Sequence, residues 1–275
     1  MNNRGAILLA LIAIAGLGVL WYFRGDFIPA TDESVIEPAT LDADTPIQSR
    51  PRHPLSPADP PEIIADDLVP LPPLDDNGFR LALVEDFGPD AGFILVNGAL
   101  IDKFVVTVDN LTRPQVAERI RPVGRLPEEF VVEATGDGDQ FYLNPDNYER
   151  YNLLVDIVAG TDAETIAATY RRFYPLFQKA YVEIGYPDGY FNDRVVEVID
   201  HLLLTPEPGE PILLVRPLVL YQFADKELEA LSSGQKLLIR MGGANAAEIK
   251  KVLQNLRLRI VLAPDTETAL QPATL

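Results

Sequence analysis

Eleven of the 24 prolines fall between residues 26 and 76, and no periodic apolar pattern accompanies them. Proline lacks the backbone N–H that helix and sheet both use, and its ring fixes φ. Twelve acids against Arg50 and Arg52 give the same stretch a formal charge of −10, and like charges resist compaction. Regular structure is therefore confined to the regions on either side, and the stretch reads as a tether. Its reach lies between roughly 40 Å as a flexible coil and roughly 160 Å as extended polyproline. The apolar patch of Ile63-Ile64 with Leu68–Leu74 is expected to dock onto the domain, a short recognition segment being the alternative.

Ahead of the tether, Gly5–Phe23 is an apolar run of nineteen residues with no polar side chain before Trp21 and Tyr22. At about 1.5 Å per residue a helix of that length covers roughly 28 Å, close to a hydrocarbon core. Trp21, Tyr22 and Phe23 stand at its exit, where amphipathic rings favour the interface. The competing reading is a signal peptide cut after Ala13-Ile14-Ala15, which would leave Gly16–Phe23 as an apolar new terminus. The run is expected to be a single-pass anchor. Arg4 and Arg24 balance, but the α-amine adds positive charge on the short side. That favours a cytoplasmic N-terminus and a periplasmic domain, at the inner membrane.

The chain of 275 residues has a formal charge of −18 and no Cys. Without a basic stripe it has no electrostatic hold on a phosphate backbone, so nucleic-acid binding is not expected. Disulfides, thiol nucleophiles and Cys-based zinc sites are excluded, and His53 and His201 are the only imidazoles. No metal and no cofactor is expected.

Four regions result: an anchor at 1–25, a Pro-rich acidic linker at 26–73, a domain at 74–263 and a tail at 264–275. The domain reads as mainly α with a small β component. Asp75 or Asp76 can cap a helix through about Phe87. In Leu100–Leu111 the valines favour strand, yet Leu100, Phe104, Val108 and Leu111 share one helical face, and helix is expected. Phe130–Thr135 and Gln140–Leu143 flank Gly136-Asp137-Gly138-Asp139, a hairpin signal. One helix is expected from Asn144-Pro145 to Gly160. The next is capped by Thr161 or Asp162 and reaches Gly185, with a kink at Pro175. A third spans Asn192–Leu204. Leu213–Val215 and Leu218–Phe223 are β-like, and Pro217 limits them to short edge strands or a short pair. Short helices are expected from Asp225 and from Ser232 or Ser233, and a last one capped by Asn245.

Twelve of the 23 aromatic residues lie between 141 and 191. Tyr170, Tyr174, Phe177 and Tyr181 form one helical stripe, either core or a platform for sugar rings or a partner's apolar face. Asp109, Asn110, Gln178, Arg216, Gln222 and Arg240 interrupt apolar runs. A charge turned toward a core must be paired. Asp109 with Arg113, and Asp193 or Asp225 with Arg216 or Arg240, could supply the pairs, and an Arg-built anion pocket is the sharper reading. Glu197 and His201 share a helix face, but two ligands do not make a zinc site. Asp137-Gly138-Asp139 and Asp188-Gly189 with Asn192-Asp193 are explained as turns and a cap. Ser233 and Lys236, three apart at a helix start, give the only nucleophile–base spacing, as in penicillin-binding enzymes. No Lys-Thr-Gly or Ser-Asp-Asn companion follows, and a helix cap explains the serine equally.

Several strings in order resemble one known family: FVVTVDNL (Phe104–Leu111), NYERY (Asn147–Tyr151), YPLFQKAY (Tyr174–Tyr181) with Gly185-Tyr186-Pro187, FNDR (Phe191–Arg194), IDHLL (Ile199–Leu203), YQFAD (Tyr221–Asp225) and LEALSSGQKLLIRMG (Leu228–Gly242). The set is similar to the Gram-negative bacterial domain-of-unknown-function family three-thousand-and-fourteen, over about residues 74–260. The resemblance implies a proteobacterial envelope protein with one N-terminal membrane helix, and it carries no reaction, ligand or catalytic residue. It picks out Asp109, Asn110, Gln178, Asp193, Arg194, Gln235, Lys236 and Arg240, which lie inside the strings. The expected function is a non-enzymatic membrane-tethered domain that binds an envelope protein or glycan through residues such as Tyr170, Tyr174 and Tyr181. The alternatives are a cell-wall hydrolase using Ser233 and Lys236, and an anion or small-ligand sensor using Arg216 or Arg240.

Overall fold

Two amphipathic helices, α3 (Leu100–Asn110) and α6 (Ala163–Glu183), set the centre of the fold in the computed structural model. It describes residues 50–55, 71–116, 118–124, 129–136 and 138–261. The apolar run Gly5–Phe23, most of the Pro-rich tract including Ile63-Ile64, Asp137 and the tail from 264 lie outside the described residues. Among the described residues no helix is long and apolar enough to cross a membrane.

Before α3 come α1 (Asp76–Phe87) and α2 (Pro89–Ile94), and after it a 3-10 turn at Glu118–Ile120. The carboxylate of Asp75 caps α1 by accepting from Gly78 N at 2.7 Å. Asp162 caps α6 by accepting from Thr165 N at 3.3 Å. Pro175 lies inside α6 without ending it, on the exposed side. There the Arg171 carbonyl that loses its N–H partner can be hydrated. The region expected to be one helix up to Gly160 is two, α4 (Asp146–Glu149) and α5 (Asn152–Ala159). Then follow α7 (Phe191–Leu203), α8 (Lys226–Glu229), α9 (Ser233–Arg240) and α10 (Gly243–Ile260). Asn245 does not cap α10. Gly242 precedes it at φ 83°, and the Asn245 amide donates instead to the carbonyls of Tyr148 and Met241 at 3.0 Å each.

The β component is one antiparallel sheet of four strands, in the order β1 (Val132–Ala134), β2 (Gln140–Leu143), β3 (Leu213–Val215) and β4 (Gln222–Phe223). The expected hairpin is β1–β2, with Val132 opposite Leu143. β3 and β4 form the expected short pair, but β3 is not an edge strand, since it also pairs with β2 on its other side. Pro217 follows the strand, so no ladder N–H is lost.

Phe79, Phe104, Tyr170, Phe173, Phe177 and Phe191 are fully buried at the helical core. Phe104 and Phe177 lie 5.0 Å apart, and Phe79 and Phe173 5.1 Å, in tilted contacts. Such pairs add about 0.5–1.5 kcal/mol beyond area burial. Helix α10 packs across α5, α6 and α7 through Ile249, Leu253 and Leu256. The sheet holds a smaller cluster of Leu143, Ile212, Leu214, Phe223 and Ile239. Helix α9 serves both cores: Leu237, Leu238 and Met241 join the first and Ile239 the second. All eight of its residues are buried for that reason.

Candidate functional site

Asp109, 4% exposed, stands in the last turn of α3, where the helix dipole and the low dielectric both disfavour a carboxylate. Arg194, in the first turn of α7, compensates it. Its Nε lies 2.9 Å from Asp109 Oδ1, while Nη2 donates to the Asp109 carbonyl at 2.5 Å and to Thr112 Oγ1 at 2.7 Å. Arg113, one turn beyond Asp109 as its spacing predicts, reaches Oδ2 at 3.1 Å, and the Tyr186 hydroxyl donates to the same oxygen at 3.3 Å. The remaining Arg194 nitrogen, Nη1, pairs with Glu197 Oε1 at 3.0 Å.

The loop between α6 and α7 closes over this pair. Tyr181 and Tyr186 stack at 4.5 Å with 13° between rings. Burial raises the Tyr181 phenol well above its ordinary value, and the Asp109 carboxylate adds to the effect. Gln178 pins the loop, donating to the Gly189 carbonyl at 2.7 Å and accepting from Phe191 N at 2.8 Å. Gly189 is needed for close approach, since a Cβ there would stand 3.0 Å from the Tyr181 ring. A cleft of about 210 Å³ opens beside it, lined by Arg52, Tyr181, Tyr190, Asp193, Arg194 and Glu197 with Asp188 and Gly189.

Arg52 reaches this cleft because residues 50–55 lie across the domain. Asp193 accepts from two successive backbone amides, Arg52 N at 3.0 Å and His53 N at 2.6 Å. The Asn192 amide donates to the His53 carbonyl at 2.9 Å and to the Ile260 carbonyl at 3.2 Å. The Tyr170 hydroxyl donates to Asn192 Oδ1 at 3.1 Å, which fixes the orientation of that amide. Leu55 forms an antiparallel bridge with Val261, and Arg52 Nη2 stands 4.0 Å from Glu197 Oε2.

The spacing-based nucleophile pair does not assemble. The Ser233 hydroxyl donates to the Leu111 carbonyl at 3.3 Å and the Asn110 carbonyl at 3.4 Å. Lys236 Nζ reaches Glu229 Oε1 at 3.0 Å and the Glu229 carbonyl at 3.1 Å. Both residues are buried. The amides of Ser233 and Gly234, which an oxyanion hole would need, donate to the Arg113 carbonyl at 2.7 Å and the Leu111 carbonyl at 3.0 Å. A different contact, Ser232 Oγ to His201 Nε2 at 2.9 Å, was not legible in the sequence because the two lie 31 residues apart. Ser232 also caps α9 in a capping box with Gln235, so its hydroxyl is occupied structurally. Burial lowers the His201 pKa, with the Arg194 charge acting in the same direction.

The tyrosine stripe faces inward. Tyr170 is fully buried, Tyr181 is 6% exposed, and the Tyr174 hydroxyl donates to Gln178 Oε1 at 3.0 Å. Of the stripe, only Tyr181 lines the cleft. Arg216 is exposed, with its guanidinium 5.6 Å from the Phe141 ring and 5.4 Å from the Tyr221 ring. Arg240 is buried 5.0 Å from the Phe223 ring, and burial lowers its pKa. The two suggested aspartates serve elsewhere: Asp193 holds the 50–55 segment and Asp225 caps α8. Among the described residues no group of three or more His, Asp or Glu could hold a metal ion.

Fold and site together define a mainly helical domain with a polar, tyrosine-walled cleft at the N-terminus of α7. The family described as "Protein of unknown function (DUF3014)" matches residues 100–257, and the chain belongs to it. No curated protein and no solved structure matches the chain. The matched span carries Asp109, Tyr181, Tyr186 and Arg194, and it leaves out Arg52 and the 50–55 segment.

Proposed function

We propose that the chain is a non-enzymatic, membrane-tethered binding module of the cell envelope. Gly5–Phe23 anchors it in the inner membrane, the domain faces the periplasm, and the cleft beside Arg194 is its contact surface. One observation carries the binding role. Two regions far apart in sequence, the end of α3 at Asp109 and the stretch from Tyr181 to Arg194, are joined by hydrogen bonds beside one cleft that the second of them lines. Their buried charges are spent on holding its shape, while Arg52, Asp188, Tyr190 and Glu197 are left at its rim. Such a rim reads hydrogen-bonding groups and a ring face on a partner. The anchor and the acidic tether support presentation at a distance from the membrane.

The test uses the full chain in a Gram-negative host, with a photo-crosslinking residue at Tyr190 and, as control, at exposed Leu218. The expected result is one protein or glycan species captured from Tyr190 and absent from Leu218. Equal capture profiles at the two positions would overturn the cleft as the contact. In the same cells the full chain is expected to remain with alkali-washed membranes, and a chain lacking residues 1–25 to leave them. Retention of the shortened chain would overturn the anchor.

A further inference from the structure

The hydrogen bonds that seat residues 50–55 are made to their backbone. Two amide hydrogens go to one carboxylate, one carbonyl takes the Asn192 amide, and the segment ends in an isolated antiparallel bridge to Val261, just past the end of α10. Arg52 and Pro54 are exposed and His53 is half-buried, and Leu55 is the one side chain of the segment that packs against the helical core. Recognition of this kind resembles strand addition, in which main-chain bonds supply affinity and the sequence is only loosely specified. The groups that make the seat are themselves fixed. Asn192 is held by Tyr170 from below, and Asp193 belongs to a helix of thirteen residues. The seat is thus preorganised independently of what fills it.

We propose that this seat is an exchangeable peptide-binding groove, filled in cis by the chain's own Arg50–Leu55 and open to an extended protein segment that displaces it. The inference deepens the reading of the cleft as a binding surface, because Arg52 and Asp193 belong to both. It names the partner's chemistry: an extended peptide presenting two consecutive amide hydrogens and the following carbonyl. Displacement carries Arg52 away from Glu197 and widens the cleft on the same side. The resident segment competes at an effective concentration on the order of millimolar, so it acts as a threshold against weak extended peptides.

The test uses the double substitution Arg52→Pro with His53→Pro. It deletes both amide donors from the resident segment and leaves the seat intact, and two further prolines suit an extended backbone. A fluorescent peptide of sequence Arg-Pro-Arg-His-Pro-Leu, the resident segment itself, is titrated into full-length chains. The double variant is expected to bind it about tenfold or more tightly than the unaltered chain, and adding Asp193→Ala is expected to remove that gain. Equal binding by the unaltered chain and the double variant would overturn the proposal, as would binding indifferent to Asp193.

A second measurement covers the case of a double variant that fails to fold. The chain has no Cys, so Leu55→Cys with Val261→Cys can lock the bridge by one disulfide. Excess unlabelled peptide is expected to accelerate hydrogen exchange at Arg52 and His53 in the unaltered chain and not in the oxidised lock. No acceleration in the unaltered chain overturns the proposal. These outcomes are separable from the crosslinking at Tyr190: a glycan captured there with no peptide exchange defeats the groove and spares the cleft.

Discussion

Asp86 shows how one side chain can give a helical domain a pH slope. It sits where α1 meets α6, accepting a hydrogen bond from the Thr169 hydroxyl. Burial pushes its carboxyl up from 3.8 to about 6, against the lowering effect of the Thr169 bond. A carboxyl raised in the folded state binds its proton more tightly there than in the unfolded chain. Its contribution is therefore greatest below about pH 4 and is lost as pH rises through about 6. Asp86→Asn keeps the acceptor for Thr169 and removes the charge. Urea midpoints from pH 4 to 8 are expected to lose that part of the slope, with a gain of about 1–3 kcal/mol at pH 7.5. Arg194 works the other way. Arg194→Ala leaves Asp109 buried with fewer partners and is expected to lower stability by about 3 kcal/mol. Asp109→Asn added to it is expected to restore part of the loss, and a double-mutant cycle by denaturation measures the coupling.

Helix α9 carries the argument at the scale of elements. Gly234 lies in its first turn, and intrinsic propensity favours Ala over Gly by about 1 kcal/mol inside a helix. A Cβ at Gly234 would stand 2.6 Å from Leu202 Cδ2 and 3.1 Å from the Leu111 carbonyl. Leu202 is fully buried and the carbonyl is backbone, so neither yields easily. Crowding wins: Gly234→Ala is expected to lower the melting midpoint, corresponding to about 1–2 kcal/mol. Local patterns foretell such elements well. The Asp75, Asp162 and Ser232 caps, and the apolar faces of α3 and α7, are written in residues three or four apart. What they do not foretell depends on partners. β3 becomes an inner strand only because β2 and β4 are supplied from either side. Asn245 falls inside α10 because the turn at Gly242 opens the helix three residues earlier, with the Tyr148 ring packed on that glycine. Asp109 with Arg113 was legible as a spacing of four, whereas Asp109 with Arg194 spans 85 residues and was not.

For the whole molecule, the composition of the Pro-rich tract led to the expectation of a tether, and residues 50–55 of that tract dock on the domain. Their seat is built by residues about 140 positions away, and no local signal marks a tether segment as the complement of a distant aspartate. The acidic charge and the absence of Cys excluded nucleic acid and thiol chemistry from the list of expectations without any folding argument. The antiparallel bridge between Leu55 and Val261 has a mechanical consequence. It clasps the strand that leads into the domain to the end of the last helix. A pull arriving along the N-terminal chain meets the two Asp193 hydrogen bonds and this clasp before it reaches the aromatic core. These few contacts are expected to part at a lower load than the packed helices, which single-molecule pulling from the N-terminal side would show as a small step ahead of the main unfolding event.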